Sequence, residues 1–322
     1  MSNSNWQTKV TLLVNTCDSY EDLWQPFFTL LQRYFVPLQM RIVVNTETKT
    51  CTFPGLQINT INSTAESYGA RMQAVLEQID TEYLLLMLDD FFLREPVRMD
   101  RLASIIEWME ADRDIVYFNC DVTEAACDRE VNRYPGYRRL PAGNRYTLNL
   151  QAAVWRTSKM REYWKHDVSP WDWEERCNVL TAAHLRDKFY CVLREEDRFM
   201  DYGYRKGQWM GICHGQWVKD DVVPLFAREG IEVDFSKRGF LDPEHRPASL
   251  NRSASREDRY RRVYNCLGWK YMLPYFFFCR RCNLYSALHH CAVDEDYFHY
   301  LQRKADLRNK EGKRCIFAPM VR

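Results

Sequence analysis

The sequence predicts an α/β fold built on a parallel sheet with right-handed crossovers, and three observations carry that expectation. The run Tyr83 to Leu88 is wholly apolar, the pattern of a strand buried on both faces. It ends abruptly in two adjacent carboxylates, Asp89 and Asp90, at the edge where open α/β sheets hold their ligands. Strand and helix patterns alternate on either side of it, which is the order that links parallel strands through helices.

The elements follow in order. Lys9 to Asn15 reads as a first strand, and the polar loop Thr16 to Tyr20 leads into a helical pattern from Tyr20 to Tyr34, with Asp18 and Ser19 as N-cap candidates. Strands are expected at Met40 to Asn45 and Leu56 to Ile61. Ser63 or Thr64 then caps a helix whose apolar positions Ala70, Val75, Leu76 and Ile79 keep a helical period. Beyond the acid pair, Met99 to Met109 predicts an amphipathic helix and Ile115 to Asn119 a strand. Asp121 to Thr147 is charged, Tyr-rich and broken by Pro135, Gly136, Pro141 and Gly143, so it reads as an excursion or hairpin rather than core. Leu148 to Trp155 returns as an apolar strand or strand-turn and Thr157 starts a helix. Pro170 opens another, with Asp172, Glu174 and Glu175 in a first turn that the helix dipole favours for acids.

Composition narrows the function classes. A chain of 322 residues can bury a substantial core, and 45 Lys+Arg against 44 Asp+Glu leave a net charge of +1, with no electrostatic footprint for nucleic acid. No apolar run approaches the roughly 18 to 20 residues of a spanning helix, and the first residues show no secretory pattern, so a cytoplasmic location is expected. The 12 cysteines are scattered, which favours free, mostly buried thiols. Cys279, Cys282 and Cys291 with His289 and His290 have zinc-compatible chemistry without a standard spacing; the ordinary reading is a Cys-rich amphipathic segment. From Arg252 to Arg281 basic residues interleave with Trp269, Tyr271 and Tyr275 to Phe278, which suits either a lipid-facing surface or solvated charge over a packed helix. Residues 1–250 are expected to form the main domain and 251–322 a helical, aromatic-basic extension.

The segments Asn15 to Trp24, Gln78 to Phe92, Leu150 to Trp155 and Ser169 to Glu174 together resemble bacterial GT-A-type, family-2-like glycosyltransferases of polysaccharide, O-antigen and capsule biosynthesis. The resemblance covers the first 180 residues or so. It implies a GT-A-like mixed, mainly parallel sheet flanked by helices, and a nucleotide-diphosphate sugar bound at the strand ends. By the same resemblance, Asp18, with Thr16 beside it, would hold the nucleotide base or ribose. Asp89 and Asp90 would meet the ribose and a divalent cation, Mn²⁺ or Mg²⁺, although they are adjacent where the family has Asp-x-Asp. Successive side chains on an extended chain point to opposite sides, so one acid can bind metal while the other holds ribose or an Arg. Arg71 would add positive charge near the phosphates, or else is a surface residue or a partner of Asp89.

Gln151 and Trp155 would read sugar hydroxyls and line the donor pocket. His214 would close over the diphosphate or ligate the metal, unless it is an ordinary structural histidine. Glu174, ahead of Asp172, would be the general base of an inverting hexosyl transfer, with Trp171 and Trp173 stacking on sugar faces. The acceptor would be a saccharide or lipid-linked glycan, met at the inner membrane face through residues 252–281. Two alternatives stay open: a catalytically inactive carbohydrate-binding scaffold of the same fold, and a sugar nucleotidyltransferase, which would need a Gly-rich basic loop that Asn15 to Tyr20 lacks.

Overall fold

A computed structural model describes residues 6–122, 133–140, 147–164, 169, 170, 173, 174, 181, 184, 186–205, 208 and 210–242. Its elements are β1 (Val10–Asn15), α1 (Glu21–Tyr34), β2 (Arg41–Thr46), β3 (Ile58–Asn62), α2 (Tyr68–Glu77), β4 (Tyr83–Leu88), α3 (Met99–Ala111) and β5 (Ile115–Asn119). There follow β6 (Tyr137–Leu140), β7 (Ala153–Arg156), α4 (Thr157–Tyr163), β8 (Lys188–Val192), the small hairpin β9 (Ile212–Cys213) and β10 (Gln216–Trp217), and α5 (Lys219–Glu229). The first eight strands form one sheet in the order β3-β2-β1-β4-β7-β5-β8-β6. β3, β2, β1 and β4 are mutually parallel, β7 runs antiparallel between β4 and β5, β8 is parallel to β5, and β6 closes the far edge antiparallel to β8. The sheet is therefore mixed, mainly parallel and flanked by helices, as expected. No helix among the described residues is long and apolar enough to cross a membrane.

The pleat sorts each strand between two cores. Leu12, Val14, Leu85 and Met87 pack on one face with Leu23, Phe27 and Leu31 of α1, Leu102 and Ile106 of α3, and Phe226 of α5. Leu13, Leu84 and Leu86 pack on the other with Met72 and Leu76 of α2 and Met160 and Tyr163 of α4. Both faces are covered, so β1, β4 and β5 read as near-continuous apolar runs.

Three expectations need correction. The cap of α2 is neither Ser63 nor Thr64 but Ser67, whose hydroxyl accepts from Ala70 N at 3.1 Å. Ser63 instead extends the β2 pairing, its N–H donating to Thr46 O at 3.0 Å. The segment read as an excursion contributes β6, with Tyr137 and Leu140 buried in the two cores. Gly136 makes the turn into it at φ +85°, where a Cβ would lie 2.9 Å from Arg101 Nη1 and 3.0 Å from Asp197 Cβ. The strand expected over 148–155 begins only at Ala153. Residues 251–322, with their basic-aromatic stretch and the Cys279, Cys282 and Cys291 cluster, lie outside the described residues.

β4 is the central strand of the site half of the sheet, pairing β1 on one side and β7 on the other. Leu85→Ala is expected to lower unfolding free energy by about 2–5 kcal/mol, through the lost burial and the cavity left behind. Urea denaturation checks this as a lower midpoint at unchanged slope.

Candidate functional site

The carboxyl ends of β1, β2 and β4 and the amino end of antiparallel β7 meet at one edge, because Asn15 is in register with both Asn45 and Leu88, and Leu86 with Ala153. Here the adjacent acids part. Asp89 continues the alternation of Leu85 and Met87 toward α1, while the Asp90 carboxylate acts on Tyr20, Tyr68 and Cys213 and feels Glu174.

Asp89 is 2% exposed and accepts a hydrogen bond from the Thr16 hydroxyl, which in turn accepts from Trp24 Nε1 at 3.1 Å. Burial pushes its carboxyl well above the usual range, and the neighbouring Asp90 adds to that, against the opposing pull of Thr16 and Arg238. Asp89 is thus a buried tether for the loop after β1. Arg238 clamps the same loop from outside. Its guanidinium pairs with Asp22, donates to the Ser19 and Gly215 carbonyls, and lies 4.4 Å from the Tyr20 ring centroid.

Asp18 has a different task from those expected. Its carboxylate accepts from Thr46 Oγ1 at 2.6 Å, from Thr48 N at 3.0 and 3.1 Å, from Thr48 Oγ1, and from Lys49 N at 3.1 Å. Burial opposes its charge, but those donors outweigh it and hold the carboxyl well below the usual range. A carboxylate has about four acceptor sites, and the loop after β2 fills those of Asp18. Neither Asp18 nor Ser19 caps α1, whose N-cap position is Tyr20 without a side-chain bond. Arg71 does not partner Asp89 either: it lies 3.5 Å from Glu47 and donates to the Ala65 and Glu66 carbonyls.

Asp90 is half-buried, and its Oδ1 is buried with no hydrogen-bond partner among the described residues. Burial pushes its carboxyl up to about 7, and the Glu174 carboxylate contributes. The β9–β10 hairpin seats against its backbone: Ile212 N donates to Asp90 O at 3.0 Å. Gly211, at φ +57°, permits that approach, since a Cβ there would fall 1.9 Å from Asp90 O. Glu174 Oε1 accepts from Leu150 N at 2.7 Å, which fixes it beside the entry to β7. Gln151 Oε1 accepts from Tyr202 Oη at 2.7 Å, so the amide turns its NH₂ group away from that contact.

The aromatic expectations are overturned. Trp155 is fully buried in β7, packed against Tyr117 at 4.6 Å and Trp173 at 6.0 Å, and cannot line a donor pocket. Trp173 is itself core, stacked on Trp164 at 4.5 Å with its Nε1 donating to Tyr163 O. Asp172 and Trp171 lie outside the described residues. His214 is exposed at the hairpin tip in the left-handed region, φ +51°, followed by Gly215 at φ +81°, the pair of positive angles of a type I′ hairpin. Tyr68, Tyr202 and Glu47 were not singled out from sequence, because each acts through a partner distant in the chain.

Among the described residues no group of three or more His, Cys, Asp or Glu converges as a metal cage. Asp89 is held by the Thr16 hydroxyl, whereas Asp90 keeps an unbonded oxygen. The unbonded oxygen of Asp90 nevertheless fits a hard cation carried by substrate, since such ions take one or two carboxylates, phosphate oxygens and water.

Asp90 titrates from an ordinary value of 3.8 to about 7 on folding, so the folded state holds its proton more tightly. The associated stability is complete below about pH 4 and lost as pH rises through about 7. Asp90→Asn should therefore gain melting temperature relative to wild type between pH 4 and pH 8. A difference that does not change with pH would contradict this.

No family model and no curated protein matches the chain. Solved structures align with it. S. aureus TarS 1–349 is 13% identical over 58% of this chain and 61% of that chain, with a TM-score of 0.36. The same protein in complex with UDP-GlcNAc is 12% identical over 62% and 59%, with a TM-score of 0.39. A mannosyltransferase from Pyrobaculum calidifontis in complex with GDP-Man and Mn²⁺ is 11% identical over 93% and 80%, with a TM-score of 0.39. The chain thus spans about three fifths of the TarS 1–349 structures. At these identities and TM-scores the likeness carries no activity across to this chain.

Proposed function

We propose that this chain is a glycosyltransferase that moves a hexosyl group from a nucleotide-diphosphate sugar to a saccharide or lipid-linked glycan, with inversion. The observation that carries the reading is Asp90: a carboxylate with one buried, unbonded oxygen at the carboxyl edge of a mainly parallel sheet, electrostatically coupled to a second, anchored carboxylate, Glu174. A group held there at such cost needs a cationic or proton-donating partner in the working state.

In this reading Asp90 holds a divalent cation, Mn²⁺ or Mg²⁺, that arrives with the diphosphate. Such a cation supplies charge neutralisation for the leaving nucleoside diphosphate. Glu174, oriented by the Leu150 N–H, takes the proton from the acceptor hydroxyl as it attacks the anomeric carbon. Gln151, whose oxygen is occupied by Tyr202, offers amide N–H groups to sugar hydroxyl oxygens. Thr16, Asp18 and Asp89 take no part in contacting the donor; they fix the loops after β1 and β2. A role in polysaccharide, O-antigen or capsule synthesis at the inner membrane face belongs to the same proposal.

The test is a screen of UDP- and GDP-sugars for nucleoside diphosphate release, with Mn²⁺ or Mg²⁺ and with saccharide acceptors. Glu174→Gln is expected to lower kcat by about 100-fold or more, the range for losing a general base. Asp90→Asn should abolish the response to cation. Full activity in both variants would overturn the reading.

A further inference from the structure

Three polar side chains form a directed hydrogen-bond chain that leads out of the sheet beside Asp90. Asn45, 2% exposed on β2, donates from Nδ2 to Asn15 Oδ1 at 2.7 Å. The same Asn45 Nδ2 points at Met72 Sδ, 3.9 Å away, which orients the Asn45 amide; with Asn15 Oδ1 thus the acceptor, Asn15 Nδ2 donates to the Tyr68 hydroxyl at 2.8 Å. An amide NH₂ has no lone pair with which to take a phenol's proton. Tyr68 Oη is therefore the acceptor in this contact, and its own hydrogen points elsewhere.

The ring has little freedom to change that. Its centroid lies 5.7 Å from that of Trp164, which is stacked in turn on Trp173. Tyr68 is the first residue of α2, behind the Ser67 cap. The charged groups that act on its hydroxyl are Glu174 and Asp90, with Arg71 opposing them. Among the described residues no side chain or carbonyl accepts its hydrogen. Burial above all, with the two carboxylates, pushes its ionisation far above the ordinary range, so the hydroxyl keeps its proton at any working pH.

We propose that Tyr68 is a donor-binding residue whose hydroxyl, oriented by Asn45 and Asn15, donates to a diphosphate oxygen of the nucleotide. The inference rests on the glycosyltransferase reading and adds a residue to it. A diphosphate oxygen is favoured over a sugar hydroxyl for two reasons. Charged acceptors form hydrogen bonds roughly twice as strong as neutral ones. Asp90, where the cation and its phosphates are proposed to sit, is one of the two carboxylates acting on this hydroxyl. In a cleft lined by acids, a donor that is neutral and cannot ionise holds an anion at low cost.

The experiment is calorimetric titration of the full chain with UDP and GDP in Mn²⁺, and with the corresponding sugar nucleotides. Tyr68→Phe keeps the ring and its packing but strips Asn15 Nδ2 of its acceptor, so a lower melting temperature is expected with an unchanged native circular-dichroism spectrum. Its Kd for the nucleoside diphosphate and for the sugar nucleotide should both weaken by about tenfold, the loss of one hydrogen bond to a charged group. Asn15→Asp at pH 8 should give a similar loss with the phenol still present, because a carboxylate accepts and draws the Tyr68 hydrogen back toward the sheet. Equal affinities of Tyr68→Phe and wild type for both UDP and GDP would overturn the assignment, as would a loss confined to the sugar nucleotides. Wild type that binds neither diphosphate would overturn the glycosyltransferase reading itself, and this assignment with it.

Discussion

Two carboxylates stand in succession at the end of a buried strand. Asp89 and Asp90 sit in the turn that follows β4, and there each meets different partners. Asp89 is drawn down toward α1, where a hydroxyl and an indole N–H complete its surroundings. Asp90 faces Glu174 and Tyr68 with one oxygen left unbonded. One acid of the pair is bonded by a side chain and the other keeps an unbonded oxygen, and nothing in their residue type distinguishes them.

The loops around that edge are tied by polar contacts between segments far apart in sequence. Asp18 gathers the backbone after β2, Thr16 reaches across to β4, and Arg238 joins the end of the described chain to the start of α1. These bonds fix the loops at the strand ends relative to one another. The same logic runs from Asn45 through Asn15 to Tyr68, where each partner dictates the direction of the next hydrogen bond.

Much of the fold was legible in the sequence, because buried parallel strands announce themselves as apolar runs: β4 and β5 fall where the pattern put them, and β1 and β2 within one residue. β6 was not, since a four-residue edge strand with two arginines and a preceding Pro-Gly turn looks locally like a loop. In the site, the place of the acid pair at the end of β4 could be read from the apolar run before it. The division of labour between them could be stated only in general form. Trp155 and Trp173 were misassigned because an aromatic near a polar cluster gives no local sign of which way its ring turns, and here tertiary packing turned both inward. The bonds that fill Asp18 are hidden from the sequence for the complementary reason. Its donors lie 28 to 31 residues further along the chain, beyond the reach of any local pattern.

The central claim is that Asp90, and not Asp89, meets the cation. Electron paramagnetic resonance of Mn²⁺ titrated with protein and UDP or GDP measures this directly, because bound and free ion give different signal amplitudes. The account predicts that Asp89→Asn binds Mn²⁺ in the presence of nucleoside diphosphate as wild type does, whereas Asp90→Asn leaves the signal of the free and nucleotide-bound ion unchanged. Retention of binding in Asp90→Asn together with its loss in Asp89→Asn would contradict it.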